Sequence, residues 1–370
     1  MRIALEEAAR GLGRTAPNPC VGAVIVRDNV IVGRGYHRRA GTPHAEVNAI
    51  ADAGQAARGA TLYVTLEPCN HTGRTPPCTR AILEAGIRRV VVGMADPNPS
   101  VVGGGADFLA GQGVEITCGV LEQECRQLNY PFLKHSATGL PWVVMKAGMS
   151  LDGRISYRRG NSGIITGPAA WRRVHQLRDR YDALLVGVGT ALIDDPSLTT
   201  RLKDRPGRDP LRVVLDSGLR LPPDAGMLRQ ESSAATWIFC GPDAPRDREE
   251  RLCAAGAEVH RVAVDSNGRP DLEQVLAVLG RAGLTSVLVE GGATVHGSFL
   301  GRDLVDEVYL FLAPFFIGDQ GMPVVSGHGI SGSNEAARLK EVRFDRLGDD
   351  LLIHGLLHMP EEAERQDKAG

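Results

Sequence analysis

The sequence has no concentrated run of lysine and arginine and almost no net charge, with 42 basic residues against 44 acidic ones and −2 overall at pH 7. That balance argues against nucleic acid as a main partner, because neutralisation of phosphates dominates such binding. No apolar run approaches the roughly 20 residues of a membrane-spanning helix, so no membrane partner is expected. A secretion or transit signal is also missing. The start, Met1 to Ala8, reads as an amphipathic helix carrying Glu6 and Glu7, and a cytoplasmic location follows by default. The seven cysteines are odd in number, which fits reduced thiols better than a disulfide framework. Five of them, Cys20, Cys118, Cys125, Cys240 and Cys253, fall in strand-like or helical segments, where free cysteine is usually a small buried hydrophobe. No internal repeat is found.

At 370 residues, 43% hydrophobic and 23% charged, the chain predicts a soluble protein of two domains. Its densest chemistry lies between His44 and Cys78. There His44-Ala45-Glu46 is followed by a strand-like run, Thr61 to Leu66, and then by Pro68-Cys69-Asn70-His71-Thr72-Gly73-Arg74-Thr75-Pro76-Pro77-Cys78. One imidazole and two thiols form the ligand set of a catalytic zinc that keeps its fourth position open for water. Glu46 is then the free carboxylate beside that water. Residues two apart on a regular helix are rotated by roughly 200°, so His44 and Glu46 can face one metal only near a helix start. Pro43 and the Ala-rich stretch to Ala57 supply that start. The alternative is a closed structural site with His71 as fourth ligand, in which Glu46 is superfluous.

His-x-Glu followed by Pro-Cys-x-x-Cys is the signature of the zinc nucleobase deaminases, which this stretch resembles. Eight residues, rather than two, separate Cys69 from Cys78. This long form is similar to the bifunctional deaminase-reductases of riboflavin biosynthesis. The resemblance implies Zn2+ on His44, Cys69 and Cys78, with Glu46 shuttling protons. It also implies a phosphorylated pyrimidine, 2,5-diamino-6-(5-phosphoribosylamino)pyrimidin-4-one, held by Asn18, His71 and Arg74 and attacked at C2.

Around the motif the pattern is α/β. Arg2 to Gly11 has a helical period; Cys20 to Arg27 and Val30 to Tyr36 form a hairpin about Asp28-Asn29; Leu62 to Leu66 and Arg89 to Met94 follow helix-like segments. That alternation predicts an α/β/α sandwich with a largely parallel inner sheet, like that of cytidine deaminase. Cys69 then lies in a loop after a strand, and Cys78 at the start of a helix from Thr79 to Ala85, where the dipole favours thiolate. Asp96-Pro97-Asn98-Pro99 and Gly103-Gly104-Gly105 form a second loop at the same sheet edge. Leu121 to Leu140 reads as polar and turn-rich, and the boundary is set there: a deaminase domain over 1–140 and a second domain over 141–359.

The second half opens with a strand, Trp142 to Lys146, then a helix from Pro168 to about Tyr181 and a buried strand, Ala183 to Val188. Further apolar runs lie at Leu211 to Leu215, Thr236 to Cys240, Ser286 to Val289, Val308 to Leu312 and Leu351 to Leu357. Gly187-Val188-Gly189 is a weak dinucleotide signal, because Leu192 stands where the fingerprint has glycine or alanine. Glu290-Gly291-Gly292-Ala293-Thr294 is stronger, since glycines at a helix start let a phosphate approach backbone N–H groups.

Together with Met145-Lys146-Ala147-Gly148-Met149-Ser150-Leu151-Asp152-Gly153 and Asp194-Asp195-Pro196, these segments resemble the reductase half of the same family, an α/β domain built like dihydrofolate reductase. The resemblance implies NADPH against Gly148, Ile164, Thr190, Asp194, Ser217, Gly292, Ala293, Thr294, Val295, His296, Gly297 and Ser298. It places the substrate at Ser162, Arg178, Leu198, Arg201 and Glu290. Lys146 and Asp194 remain alternative acid-base groups. Ile164 stands where some relatives carry a tryptophan against the cofactor, and the chain starts several residues inside the expected first helix. The resemblance also carries the expectation of a homo-oligomer. Residues 360–370, charged and without apolar period, read as a disordered tail. Two other readings compete: a nucleoside or tRNA deaminase with an unrelated partner domain, and a zinc-stabilised binding module, which has no need of Glu46.

Overall fold

The computed structural model describes residues 1–71, 76–97, 104–161 and 163–359. Arg74, Ser162, Asn98, Pro99, Gly103 and the expected tail over 360–370 lie outside the described residues. The chain forms two compact units, Met1–Gly139 and Leu140–Gly370. Among the described residues no helix is long and apolar enough to cross a membrane.

In the first unit the elements run α1 (Arg2–Ala9), β1 (Gly22–Arg27), β2 (Val30–Tyr36), α2 (Ala45–Ala53), β3 (Thr61–Leu66), α3 (Cys78–Glu84), β4 (Arg89–Met94), α4 (Gly105–Gly111), β5 (Glu115–Thr117), α5 (Glu122–Leu128) and α6 (Tyr130–Thr138). The sheet order is β2-β1-β3-β4-β5. Only β3, β4 and β5 are parallel, because the β1–β2 hairpin adds antiparallel to β3, so the inner sheet is mixed rather than largely parallel. Asp28 and Asn29 turn the hairpin at φ 50° and 60°, the left-handed region that suits these two residue types. Helices α1 and α2 lie almost in contact with the strands. A Cβ on Gly22 would stand 2.0 Å from the Ala4 carbonyl, and one on Gly35 would stand 2.4 Å from that of Ala45. Glycine facing alanine therefore fixes α2, and with it His44 and Glu46, against the hairpin.

The segment expected to be turn-rich, Leu121 to Leu140, is instead two short helices, α5 and α6. Pro131 in the first turn starts α6 and Gly139, at φ 71°, ends it. The polar residues Lys134 to Thr138 lie on helix because their intrinsic helix penalty is small beside the burial of Tyr130 and Leu133.

The second unit contains β6 (Trp142–Ser150), β7 (Arg154–Ser156), α7 (Pro168–Arg180), β8 (Ala183–Gly187), α8 (Val188–Asp194), β9 (Leu211–Leu215), β10 (Thr236–Cys240), α9 (Arg246–Ala254), β11 (Ala257–Arg261), α10 (Leu272–Arg281), β12 (Ser286–Gly291), α11 (Ala293–Gly301), β13 (Glu307–Ala313), β14 (Met322–Pro323), β15 (Lys340–Leu347) and β16 (Asp350–Leu356). Its nine-stranded sheet has the order β11-β10-β9-β8-β12-β6-β13-β16-β15. The first seven strands in that order are parallel; β16 and β15 add antiparallel. Strands buried on both faces read as continuous apolar runs, as β8 does. The chain returns to insert β12 between β8 and β6, which makes a topological switch point. In such sheets ligands bind beyond the carboxyl ends of the strands at that point.

At the opposite ends of the strands Glu307 accepts hydrogen bonds from Trp142 Nε1, Tyr309 Oη and Tyr181 Oη at 2.8, 2.8 and 3.2 Å, and lies 2.7 Å from His354 Nε2. Burial alone would raise its pKa. The surrounding hydrogen bonds, that with His354 first, and the nearby charge of Arg180 outweigh burial and hold it at about 2. This carboxylate ties β6, α7, β13 and β16 together.

Candidate active sites

His44 is the N-cap of α2, with extended backbone at φ −70° and ψ 169°, and Glu46 lies in the first helical turn. Cys78 opens α3, and Cys69 lies just beyond the end of β3. The ligand atoms of His44, Cys69 and Cys78 all fall within 4.8 Å of one another. His44 Nδ1 is 3.1 Å from Cys78 Sγ and 3.6 Å from Cys69 Sγ. The Cys78 N–H donates to Cys69 Sγ at 3.3 Å, and Thr79 Oγ1 donates to Asn70 Oδ1 at 2.8 Å, so the long Cys69–Cys78 connection is closed at its base. The pair of thiols shares its charge unequally. Hydrogen bonding from Cys78 pulls Cys69 down, with help from His44, and the resulting thiolate holds Cys78 up. One imidazole nitrogen and two sulfurs, converging with no fourth donor among the described residues, fit zinc with an open position. His71 is exposed and is not part of the cluster, which removes the reason for a closed four-ligand site.

Glu46 is 3% exposed. Burial raises its pKa, opposed by the neighbouring His44. It lines a cavity of about 420 Å³ together with His44, Cys69, Asn18 and His71. The cavity also contains residues that sequence reading missed, His37, Thr42 and Phe132, together with Asp96 from the loop expected at this sheet edge. His37 is the most informative of them. Its Nδ1 lies 3.3 Å from the Pro43 carbonyl, which can only accept, so Nδ1 carries the proton. Nε2 is then an acceptor for Asn18 Nδ2 at 3.1 Å. This fixes the Asn18 amide so that its carbonyl oxygen is left for a ligand. Burial lowers the His37 pKa and keeps the ring neutral. Its position at the end of a hairpin strand, just before a loop into the His-x-Glu motif, was the only signal for it. Phe132 was missed because α6 was read as linker.

In the second unit two cavities meet at the switch point. The first, of about 380 Å³, runs over the ends of β8 and β12 and is lined by Thr190, Asp194, Ser217, Gly292, Ala293, Thr294, Val295 and Ser298. Gly189 also lines it, and a Cβ there would meet no protein atom within 4 Å, so a side chain would project into space that a cofactor needs. Gly291 holds φ 121°, which restricts that position to glycine. The second cavity, of about 450 Å³, is lined by Lys146, Arg178, Leu198, Arg201 and Glu290, and it shares Thr190, Asp194 and Gly292 with the first. Gly148, Ile164 and His296, expected beside the cofactor, line this second cavity. Gly297 lines neither. A Cβ on it would stand 2.0 Å from the Ser326 carbonyl, so Gly297 itself faces the chain behind the helix.

Glu290 forms a two-pronged ion pair with Arg178, Nε to Oε1 at 2.8 Å and Nη2 to Oε2 at 2.7 Å, and Lys146 Nζ lies 3.5 Å from Oε2. Burial would raise the Glu290 pKa, but the two cations outweigh it and hold the carboxyl at about 2. Burial lowers the pKa of Lys146, against the pull of Glu290. Asp194, the alternative acid-base residue, is exposed at the junction of the two cavities, and partial burial raises its pKa.

Residues 1–94 match the cytidine and deoxycytidylate deaminase zinc-binding region, and residues 141–353 match the RibD C-terminal domain. The riboflavin biosynthesis protein RibD of Bacillus amyloliquefaciens is 43% identical over 95% of this chain and 94% of its own length. Among solved structures, RibD of Acinetobacter baumannii superposes with a TM-score of 0.85 at 35% identity, covering 96% of this chain and 97% of its own. The diaminohydroxyphosphoribosylaminopyrimidine deaminase/5-amino-6-(5-phosphoribosylamino)uracil reductase of Thermotoga maritima gives 0.84 at 39% identity, covering 96% of both chains.

Proposed function

This chain belongs to the family of bifunctional deaminase-reductases of riboflavin biosynthesis, and from that premise we propose which of its residues carry each reaction. It is a zinc-dependent deaminase of 2,5-diamino-6-(5-phosphoribosylamino)pyrimidin-4-one and an NADPH-dependent reductase of 5-amino-6-(5-phosphoribosylamino)uracil. The observation that carries the assignment of residues is the convergence of His44, Cys69 and Cys78 with Glu46 buried in the same cavity.

His44, Cys69 and Cys78 would hold the zinc, which when bound makes a water molecule acidic enough to attack at neutral pH. Glu46 takes a proton from the attacking water and gives it to the ring nitrogen; it then takes the proton of the new C2 hydroxyl and gives it to the amino group, which leaves as ammonia while C2 becomes a carbonyl. A carboxyl enclosed in the same cavity as the ligand set is placed to transfer protons in both directions. The Asn18 carbonyl, oriented by His37, accepts from an N–H of the pyrimidine. His71 and Arg74 complete the substrate contacts.

Reduction adds a hydride to C1′ of the ribosyl group and a proton to the ring oxygen, which becomes a hydroxyl of the ribityl chain. The residues over the ends of β8 and β12 would hold NADPH, which when bound supplies the hydride. Lys146 supplies the proton: it lies in the chamber floor with its pKa lowered by burial, and Glu290 keeps it charged until it is used. Arg201 receives the 5′-phosphate.

The far end of the NADPH cavity is lined by Ser217, Arg220 and Arg269, donors that suit a 2′-phosphate. The purified chain is expected to hold about one zinc, since three protein ligands make one open site. It should release ammonia from the diaminopyrimidine and oxidise NADPH in preference to NADH. Arg220→Ala should narrow that preference by about tenfold, the loss of one charge-assisted hydrogen bond. Equal efficiency with both cofactors in the native protein would count against this arrangement, and a zinc-free protein that releases ammonia would remove the metal assignment.

A homo-oligomer is supported by β15. This edge strand exposes Val342 at 40% and Phe344 at 64%, and its neighbour β16 exposes Leu351 at 39%. An open strand edge with apolar side chains in water is a surface that pairing covers. Light scattering should give a mass above that of one chain, and Phe344→Lys should lower it; a native monomer would end the proposal.

A further inference from the structure

Helix α7 turns one face to the substrate chamber of the reductase. Trp171, Val174 and Arg178, spaced three and four residues apart, all line it. Arg178 is engaged with Glu290, and Val174 is buried. Trp171 is a large ring left 37% exposed, and its indole N–H has no hydrogen-bond partner among the described residues. An aromatic body with an unused donor, on the wall of a cavity, suits a ligand that is partly apolar and partly an acceptor.

The end of the chamber that Trp171 borders follows from its neighbours. Its ring lies 6.0 Å from that of His175, and His175 Nδ1 accepts a hydrogen bond from the Arg201 backbone N–H at 3.2 Å. Arg201 thus stands beside the Trp171–His175 pair. The charge of Arg178 is matched by Glu290, whereas Arg201 has no carboxylate partner among the described residues and donates to the hydroxyls of Ser197 and Thr199 at 2.8 and 3.3 Å. Arg201 is therefore the cation open to a phosphate. The opposite end, shared with the cofactor cavity, must hold C1′ next to the hydride donor.

We propose that Trp171 is a specificity-determining residue of the reductase: its ring covers the carbon chain between C1′ and the phosphate, and its indole N–H serves as a second phosphate donor beside Arg201. This rests on the reductase assignment above. Burial, followed by the charges of Arg178 and Arg201, lowers the His175 pKa to about 4, so the ring behind Trp171 is neutral and contributes by position alone. Ile164, which stands where the family resemblance sets an aromatic against the cofactor, is 69% exposed in the same chamber. The exposed aromatic surface of this chamber therefore lies on the substrate's side.

The test is steady-state kinetics on the full chain, native, Trp171→Phe and Trp171→Ala, varying the deaminated phosphorylated intermediate and NADPH in turn. It is paired with a tryptophan fluorescence titration by ribose 5-phosphate. Trp171→Ala should raise KM for the intermediate by about tenfold, with kcat and KM for NADPH within about twofold, the size expected for losing one aromatic contact. Trp171→Phe should fall between, because it keeps the ring and loses the donor. Ribose 5-phosphate should quench native fluorescence and leave that of Trp171→Phe unchanged. An unchanged KM for the intermediate in Trp171→Ala, or a rise confined to NADPH, overturns the proposal. A native protein without any reduction would instead overturn the reductase assignment, and the ribose 5-phosphate titration would still decide whether Trp171 borders a phosphate site.

Discussion

Glu46→Gln is expected to keep its zinc and its fold and to lose deamination by roughly 10² to 10⁴, the usual cost of removing a general acid-base group. The substitution is nearly isosteric in a position only 3% exposed, so packing against the hairpin is preserved. The three ligand atoms come from His44, Cys69 and Cys78, so the metal does not depend on the carboxylate. What disappears is a group able to hold a proton and give it back, and an amide can do neither. Reduction of supplied deaminated intermediate should continue at the native rate, since Lys146, Arg178 and Glu290 belong to the other compact unit. Zinc analysis, ammonia release and NADPH oxidation on the same preparation check each part. Retention of ammonia release within tenfold would remove Glu46 from the proton-transfer role, and loss of both activities with zinc intact would mean that the two units do not work independently.

The deaminase site was legible because its chemistry is local in sequence. His44 and Glu46 are two residues apart at a helix start, and Cys69 and Cys78 flank one loop, so residue type and spacing already define a metal site. His37 was not legible, since its role depends on a hairpin that brings it between Asn18 and His44, contacts that no spacing encodes. Strand recognition followed the same division. Buried parallel strands such as β8, a continuous apolar run, and β9, apolar but for Arg212, were read within a residue or two. By contrast, β15 went unread because nearly every residue in it is exposed and charged residues alternate with Val342 and Phe344 without a buried face. Helix α6 was missed because Lys134-His135-Ser136-Ala137-Thr138-Gly139 is polar, and only tertiary burial of Leu133 and Tyr130 selects helix there. In the reductase half, the glycine-led start of α11 was visible as a motif, but the pairing of Arg178 with Glu290 joins residues 112 apart and required the fold.

That pairing gives the second large effect. Glu290→Gln removes the carboxylate that pairs with both Arg178 and Lys146, two cations that are otherwise buried with their charges facing each other. Breaking a buried pair by deleting one partner costs about 3 to 5 kcal/mol. Part of that cost is relieved if Lys146, whose pKa burial already lowers, gives up its proton. A neutral lysine cannot supply the proton that opens the ribosyl ring, so reduction should fall by roughly 100-fold or more at pH 7 and recover in part as the pH is lowered. Ammonia release should not change. Stability carries an independent signature. The Glu290 pKa lies at about 2, below its ordinary carboxylate value, so its contribution is fully present above about pH 4.5 and is lost as pH falls toward 2. The depression corresponds to about 3 kcal/mol. Glu307 is also held at about 2 and adds a second contribution in the same window, which the variant keeps. Native protein should therefore lose stability as pH falls from about 4.5 toward 2, and Glu290→Gln should lose less over the same range. All three tryptophans, Trp142, Trp171 and Trp237, belong to the reductase unit, so denaturant unfolding followed by their fluorescence reports on that unit alone. A variant with native reduction at pH 7, or with the native loss of stability in acid, would show that the Glu290 pair supports neither the proton donor nor the fold.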